Sequence, residues 1–219
     1  MNFAYYLLLL LIIFLSISTI KKNIQLSPKK IKIYLSFVIT LFLLRHIGLF
    51  LLCILKNSTI IYYLKPIIFL NHITVPLMIL AISYVYLRAE KLKFGGSYLI
   101  AGIVVGIYIW IIGISKVTIN ISSLYGFIIK INHETLIFLF SLILLGMLIV
   151  LNVFLLDKPF VNKKGIWFII LSIIVVMLED VIILGGIKIF PYSVVGDLIF
   201  LIIMNMVLDS FKKIKGNIN

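Results

Sequence analysis

Apolar residues along this chain neither alternate with polar ones nor keep to one helical face; they fill long runs that short polar stretches separate. The hydrocarbon layer of a membrane is about 30 Å thick and takes about 20 helical residues to cross, so runs of this length predict spanning helices. Seven are present, at 3–20, 33–55, 60–87, 97–115, 135–156, 166–185 and 193–211. The pattern predicts an all-α, polytopic membrane protein: a seven-transmembrane-helix bundle as a single domain over 1–211, then a short basic tail at 212–219. The third run is the longest and contains Pro76, where a tilt or kink is expected. Between the fourth and fifth runs lies "KVTINISSLYGFIIKINHET", β-branched and polar. It suits a short hairpin or an interfacial lid, and both stay open.

Composition agrees with the pattern. The 219 residues are 63% hydrophobic with mean hydropathy +1.28, and only 12% are charged, against about 25% in a soluble domain. A net charge of +13 would raise the question of nucleic acid, but the basic residues gather between apolar runs and form no soluble basic face. Fourteen of them fall in one set of connections: Lys21, Lys22, Lys29, Lys30 and Lys32; Arg88, Lys91 and Lys93; Lys158, Lys163 and Lys164; Lys212, Lys213 and Lys215. The opposite set holds five, Lys56, Lys65, Lys116, Lys130 and Lys188. Positive charge stays inside, which places the N-terminus outside and the C-terminus in the cytoplasm of a multi-pass plasma-membrane protein. The first run reads as a retained helix, since no basic residue precedes it and "STIKKN" offers no cleavage site. A single cysteine, Cys53, excludes an internal disulfide and a multi-cysteine metal site.

One stretch stands out against this background. "IIVVMLEDVIILGG" sets Glu179 and Asp180 in the middle of the sixth run. Two acids there cost about 2.5 to 3.5 kcal/mol each, and the run's apolar residues recover roughly 7 kcal/mol, so insertion is close to balanced. Such acids need partners or neutralisation. Arg45 and His46 in "FLLRHIGLF", Asn71 and His72 in "FLNHITVP", and Asp197 in "VVGDLIF" lie in the same middle-to-outer half of the layer. Arg45 is the one permanent cation among them and the natural fork for a carboxylate. Adjacent helical residues point about 100° apart, so one acid of the doublet can face Arg45 while the other faces a cavity or the seventh span. The expectation is an outward-facing pocket or buried polar network of Arg45, His46, Asn71, His72, Glu179, Asp180 and Asp197, rimmed by Glu134 and Tyr108. No close-spaced ligand pair such as HxxxH occurs, so neither a metal nor another cofactor is expected.

Other polar positions read as scaffold. Asp209 suits an ion pair with Lys212 and Lys213 on its own helix. Tyr5, Tyr6, Tyr62, Tyr63, Tyr108 and Trp110 near the outer boundary, with Trp167 near the inner one, suit an aromatic belt. Asn152 and Asn205 suit interhelical hydrogen bonds, and Gly102, Gly106 and Gly113 a close-packing seam.

Three features carry a resemblance: the basic first inner loop "KKNIQLSPKKIKIY", the proline in "HITVPLMILAISYVYLR", and Asp197 early in the last span. In these the chain resembles the seven-transmembrane sensor region at the N-terminus of bacterial histidine kinases. The resemblance implies a non-catalytic sensor or signalling module that receives a small-molecule or peptide ligand. Only "KKIKGNIN" follows the last span, so the output is expected to pass to a separate protein such as a kinase. A microbial rhodopsin is excluded, since the seventh run has no lysine to hold retinal. Two alternatives stay open. One is a small proton- or cation-coupled transporter using Glu179, Asp180 or His72. The other is a membrane cysteine peptidase similar to the accessory gene regulator B family, because His46 and Cys53 in "RHIGLFLLC" keep that family's spacing, although the glycine pair before the histidine is missing. In an unbroken helix those two side chains stand about 10.5 Å apart along the axis.

Overall fold

The computed structural model describes residues 2–55, 58–87, 95–158 and 161–216. Lys56, Arg88, Lys91 and Lys93, which entered the topology argument, and residues 217–219 of the expected tail lie outside the described residues. In chain order the elements are α1 (Phe3–Leu26), α2 (Lys29–Ile54), α3 (Ser58–Tyr63), α4 (Lys65–Ile68), α5 (Asn71–Leu87), α6 (Gly95–Ile114), β1 (Val117–Ser122), β2 (Gly126–Ile131), α7 (Glu134–Leu156), α8 (Lys163–Leu184) and α9 (Val195–Gly216). Among the described residues, the regular structure is helical apart from one β-hairpin.

Local chemistry sets the boundaries. The Asn2 side chain accepts from the Tyr5 amide at 3.4 Å to open α1, and Pro28 separates α1 from α2. Asn162 opens α8 in the same way, accepting from Gly165 at 3.2 Å. The tail expected from 212 begins as helix, because α9 continues to Gly216.

Among the described residues, five helical stretches are long and apolar enough to cross a membrane: Phe3–Leu26, Ile31–Ile54, Gly95–Ile114, Glu134–Leu156 and Lys163–Leu184. These are the features of a multi-pass membrane protein. A count of seven requires α9 and also α5, whose apolar stretch Asn71–Tyr86 is shorter. The distribution of polarity is that of a protein solvated by hydrocarbon. Phe14, Phe37, Met147, Phe154 and Leu178 point outward, while Arg45, His46, Asn71, His72, Asp180 and Asp197 are buried.

The third run departs from expectation. It is divided into α3, α4 and α5, and the interruption falls around 64–70, ahead of Pro76, which sits inside α5. Pro66 lies in the first turn of α4, where its missing amide is tolerated. The next turn does not continue as α-helix: the His72 amide bonds Phe69 O at 3.3 Å, which frees the Ile68 carbonyl.

The hairpin settles the open choice for the segment after α6. Its strands pair antiparallel from Val117↔Ile131 to Ser122↔Gly126, and the hairpin also covers one end of the bundle. The Asn2 amide donates to Leu124 O at 2.9 Å, and the Asn2 side chain donates to the Tyr125 hydroxyl at 3.0 Å. Gly126 is obligatory here, because φ is +76° and an added Cβ would lie 2.7 Å from Leu52 O of α2. On the far edge of β2 the Tyr192 hydroxyl acts as a strand partner. It accepts from the Ile129 amide at 2.7 Å and donates to Ile129 O at 3.2 Å. Burial pushes the Tyr192 phenol above its usual range, so it keeps the proton it donates.

At the opposite end the helices are joined by smaller polar contacts. Asp209 pairs with Lys22 of α1 at 2.6 Å, an interhelical contact, while the side chains of Lys212 and Lys213, its expected partners, lie outside the described residues. The two asparagines behave as anticipated: Ser83 donates to Asn152 at 2.9 Å, and Asn205 donates to Thr19 at 2.6 Å. The glycine seam does not form. A Cβ at Gly102, Gly106 or Gly113 would meet nothing within 4 Å, because this face of α6 points away from the bundle. Of the expected aromatic belt, Tyr62, Tyr63, Trp110 and Trp167 are exposed, whereas Tyr5 and Tyr108 are buried.

Candidate polar site at the covered end of the bundle

Arg45 is the centre of the site. It lies two-thirds of the way along α2, which brings it level with the interruption before α5 and the start of α9. A guanidinium has five N–H donors, and each has an acceptor. Nε donates to the freed Ile68 carbonyl at 2.8 Å. Nη1 donates to Asp197 Oδ2, forming a buried ion pair, and lies 3.3 Å from His46 Nε2. Nη2 donates to Ser193 O at 3.0 Å and to Ser193 Oγ at 3.3 Å. The His46 contact is consistent with its tautomer: Nδ1 lies 2.8 Å from Phe42 O, which can only accept, so a neutral ring presents Nε2 as acceptor. Asn71 completes this group by donating to Ser193 Oγ at 2.8 Å.

The second group is less complete. Asp180 of α8 accepts from Ser141 of α7 at 3.3 Å on Oδ2, and Oδ1 has no partner. His72 of α5 stands 4.0 Å from the same Oδ2, outside hydrogen-bond range, and its Nδ1 is also without a partner. The Phe138 ring packs edge-on against the imidazole with centroids 4.5 Å apart, and Phe69 stacks at 6.5 Å. Further unfilled acceptors, Asn71 Oδ1 and Asp197 Oδ1, belong to the first group.

The doublet thus divides. Glu179 faces α9, where its carboxylate caps the helix: Oε1 accepts from Val194 and Val195 amides at 3.2 and 3.1 Å, and Oε2 from Gly196 at 2.6 Å. The first amides of a helix lack internal partners and carry partial positive charge, so a carboxylate there is favourable. Gly196 permits the approach, since a Cβ would meet Glu179 Oε2 at 2.5 Å. Neither acid of the doublet takes Arg45; Asp197 does. Asp197 lies in the first turn of α9, which the Glu179 cap and Ser193 hold against α2.

The two expected rim residues lie elsewhere. Glu134 pairs with Lys188 at 3.1 Å beside a shallow cavity of about 210 Å³ between the hairpin and the 188–191 segment. Tyr108 is buried and donates to Pro66 O at 2.5 Å, which fastens α6 to the interrupted segment. Cys53 donates to Leu49 O at 3.3 Å, and α2 runs without interruption from His46 to Cys53. The thiol and imidazole are therefore two turns apart. Among the described residues no group of three or more His, Cys, Asp or Glu side chains could hold a metal ion.

Sequence reasoning did not single out Ser193, Ser141, Tyr192 or the Ile68 carbonyl. Pro66 was the available signal for the carbonyl, since a proline that opens a helical turn marks an interruption upstream of Asn71. Comparison with protein-family models finds no match, and comparison with curated protein sequences finds none either.

Proposed function

We propose that the chain is a seven-helix protein of the plasma membrane, N-terminus outside and C-terminus cytoplasmic, and that it acts as a non-catalytic sensor or signalling module resembling the sensor regions of bacterial histidine kinases. The observation that carries this reading is the Arg45 clasp. One side chain ties α2 to the interrupted segment before α5 and to the approach to α9. The same approach carries Tyr192, which holds the hairpin. A ligand that displaces the hairpin would therefore act on the clasp and on the packing of three helices, and a sensor needs such an element with two discrete arrangements. The ligand is a small molecule or peptide arriving from the outer face, and the output passes to a separate partner such as a kinase.

A second reading, a small proton- or cation-coupled transporter, draws support from the unfilled buried acceptors on Asp180, Asp197 and Asn71. The cysteine peptidase loses its support, because two helical turns separate His46 from Cys53.

The test has two arms. Tagged protein cross-linked in its native membranes should retain a stoichiometric kinase, and Arg45→Lys should release it. Purified protein in vesicles should give no solute or ion flux. Proton-coupled uptake abolished by Asp180→Asn would replace the sensor reading with the transporter.

A further inference from the structure

We propose that Asp180 and His72 form a proton-binding site, a buried pair that holds one shared proton taken from water. The geometry that points there is a mismatch of donors and acceptors. Asp180 is 1% exposed, and among the described residues its one hydrogen-bond donor is the Ser141 hydroxyl, on Oδ2. Asp180 Oδ1 and His72 Nδ1 have no partner at all, and His72 Nδ1 stands 4.0 Å from Oδ2. A buried carboxylate with one neutral donor lacks the positive charge that would stabilise it.

Among the described residues, no permanent cation supplies that charge. From α2, Arg45 has all five donors engaged with Ile68, His46, Ser193 and Asp197. His46 has its Nδ1–H on Phe42 O, and its other nitrogen faces Asp197 and Arg45. From α9, Asp197 adds a negative charge that Arg45 already balances. On α8 itself, Glu179 is held by three amides of the α9 approach. From α7, Ser141 is uncharged, and Glu134, about two turns away at the start of that helix, is paired with Lys188. From α5, His72 remains, and imidazole becomes cationic only by taking a proton.

A single proton satisfies both groups. On Asp180 it makes a neutral acid that donates to Nδ1; on His72 it makes an imidazolium that pairs with the carboxylate. A rotation of either side chain converts the 4.0 Å separation into a hydrogen bond. The pair titrates as a unit. Because its members sit on α5 and α8, with Ser141 on α7, protonation draws three helices together. The inference goes beyond the sensor reading and does not depend on it, since it concerns what the site binds and not where the output goes.

The experiment is thermal unfolding of the purified full chain in detergent from about pH 4 to about pH 9, the range that covers carboxylate and imidazole titration. Wild type should show one transition in which the midpoint moves on the order of 3 °C per pH unit. Asp180→Asn should abolish that transition, and infrared difference spectra should lose the protonated-carboxyl or imidazolium band assigned to the pair. If Asp180→Asn does not fold, Ser141→Ala serves instead. Without its one donor the carboxylate binds the proton more readily, so the transition should move to higher pH. A pH-independent wild type, a transition unchanged in both variants, or one that follows sodium concentration at fixed pH would overturn the proposal. A pH transition in a protein with neither partner nor flux would leave the proton site standing and remove the sensor reading.

Discussion

Two buried carboxylates, Asp197 and Asp180, lie at the same end of the bundle in opposite conditions. Asp197 meets the guanidinium of Arg45 and has His46 beside it. Asp180 meets one serine hydroxyl and an imidazole just beyond hydrogen-bond reach. The first belongs to an arrangement in which every donor is used, so its removal leaves a stranded charge. Oδ1 of each acid lacks a partner, but Asp197 has a permanent cation whereas Asp180 has a neutral hydroxyl donor. Burial alone therefore does not mark a functional acid; what distinguishes the two is whether the surrounding donors are already engaged. An acid balanced by a cation fixes a structure, and one without that balance responds to what arrives.

That contrast can be broken at its strong side first. Asp197→Asn or Arg45→Ala should cost about 3 to 5 kcal/mol, because each leaves its buried partner uncompensated, and thermal unfolding in detergent measures the loss. Arg45→Lys should not rescue the site, since an ammonium cannot reach Ile68, Ser193 and Asp197 together. Stability equal to wild type in these variants would dissolve the distinction. Next comes the cap: Glu179→Ala should cost about 1 to 2 kcal/mol and speed amide exchange at the start of α9. Lys22→Ala should cost less than about 1 kcal/mol, because the Asp209 side of the Lys22–Asp209 pair is exposed. The smallest effect is expected at Asp180→Asn, whose amide keeps the shape of the carboxyl and can donate toward His72 as the protonated acid does, so stability near neutral pH should be almost unchanged. A loss there as large as that of Asp197→Asn would show that the two acids do the same work.

The residues of the site were legible before any coordinates, but their partners were not. Arg45 demands a carboxylate wherever it is buried, and the sequence offers three within reach. The doublet looked the stronger choice because two acids share one helix. The structure selects Asp197 instead, since the first turn of α9 stands against α2 and Glu179 is turned away into the cap. The interrupted third run was hidden for a related reason. A run of apolar residues looks the same to a transfer scale whether it forms one helix or three. The Ile68 carbonyl left out of the helix is taken by Arg45 from a distant helix, a partner no local pattern reveals.

Sequence alone determined the kind of molecule. The transfer of a side chain into hydrocarbon is close to a sum over residues, so the lengths of the apolar runs were enough to predict long membrane-competent helices. The same sum flagged each polar position as anomalous. Tertiary structure decided which anomaly answers which. Hydrogen bonds and ion pairs depend on ångström distances between elements far apart in the chain, and on helix rotation and breaks that no local sum records.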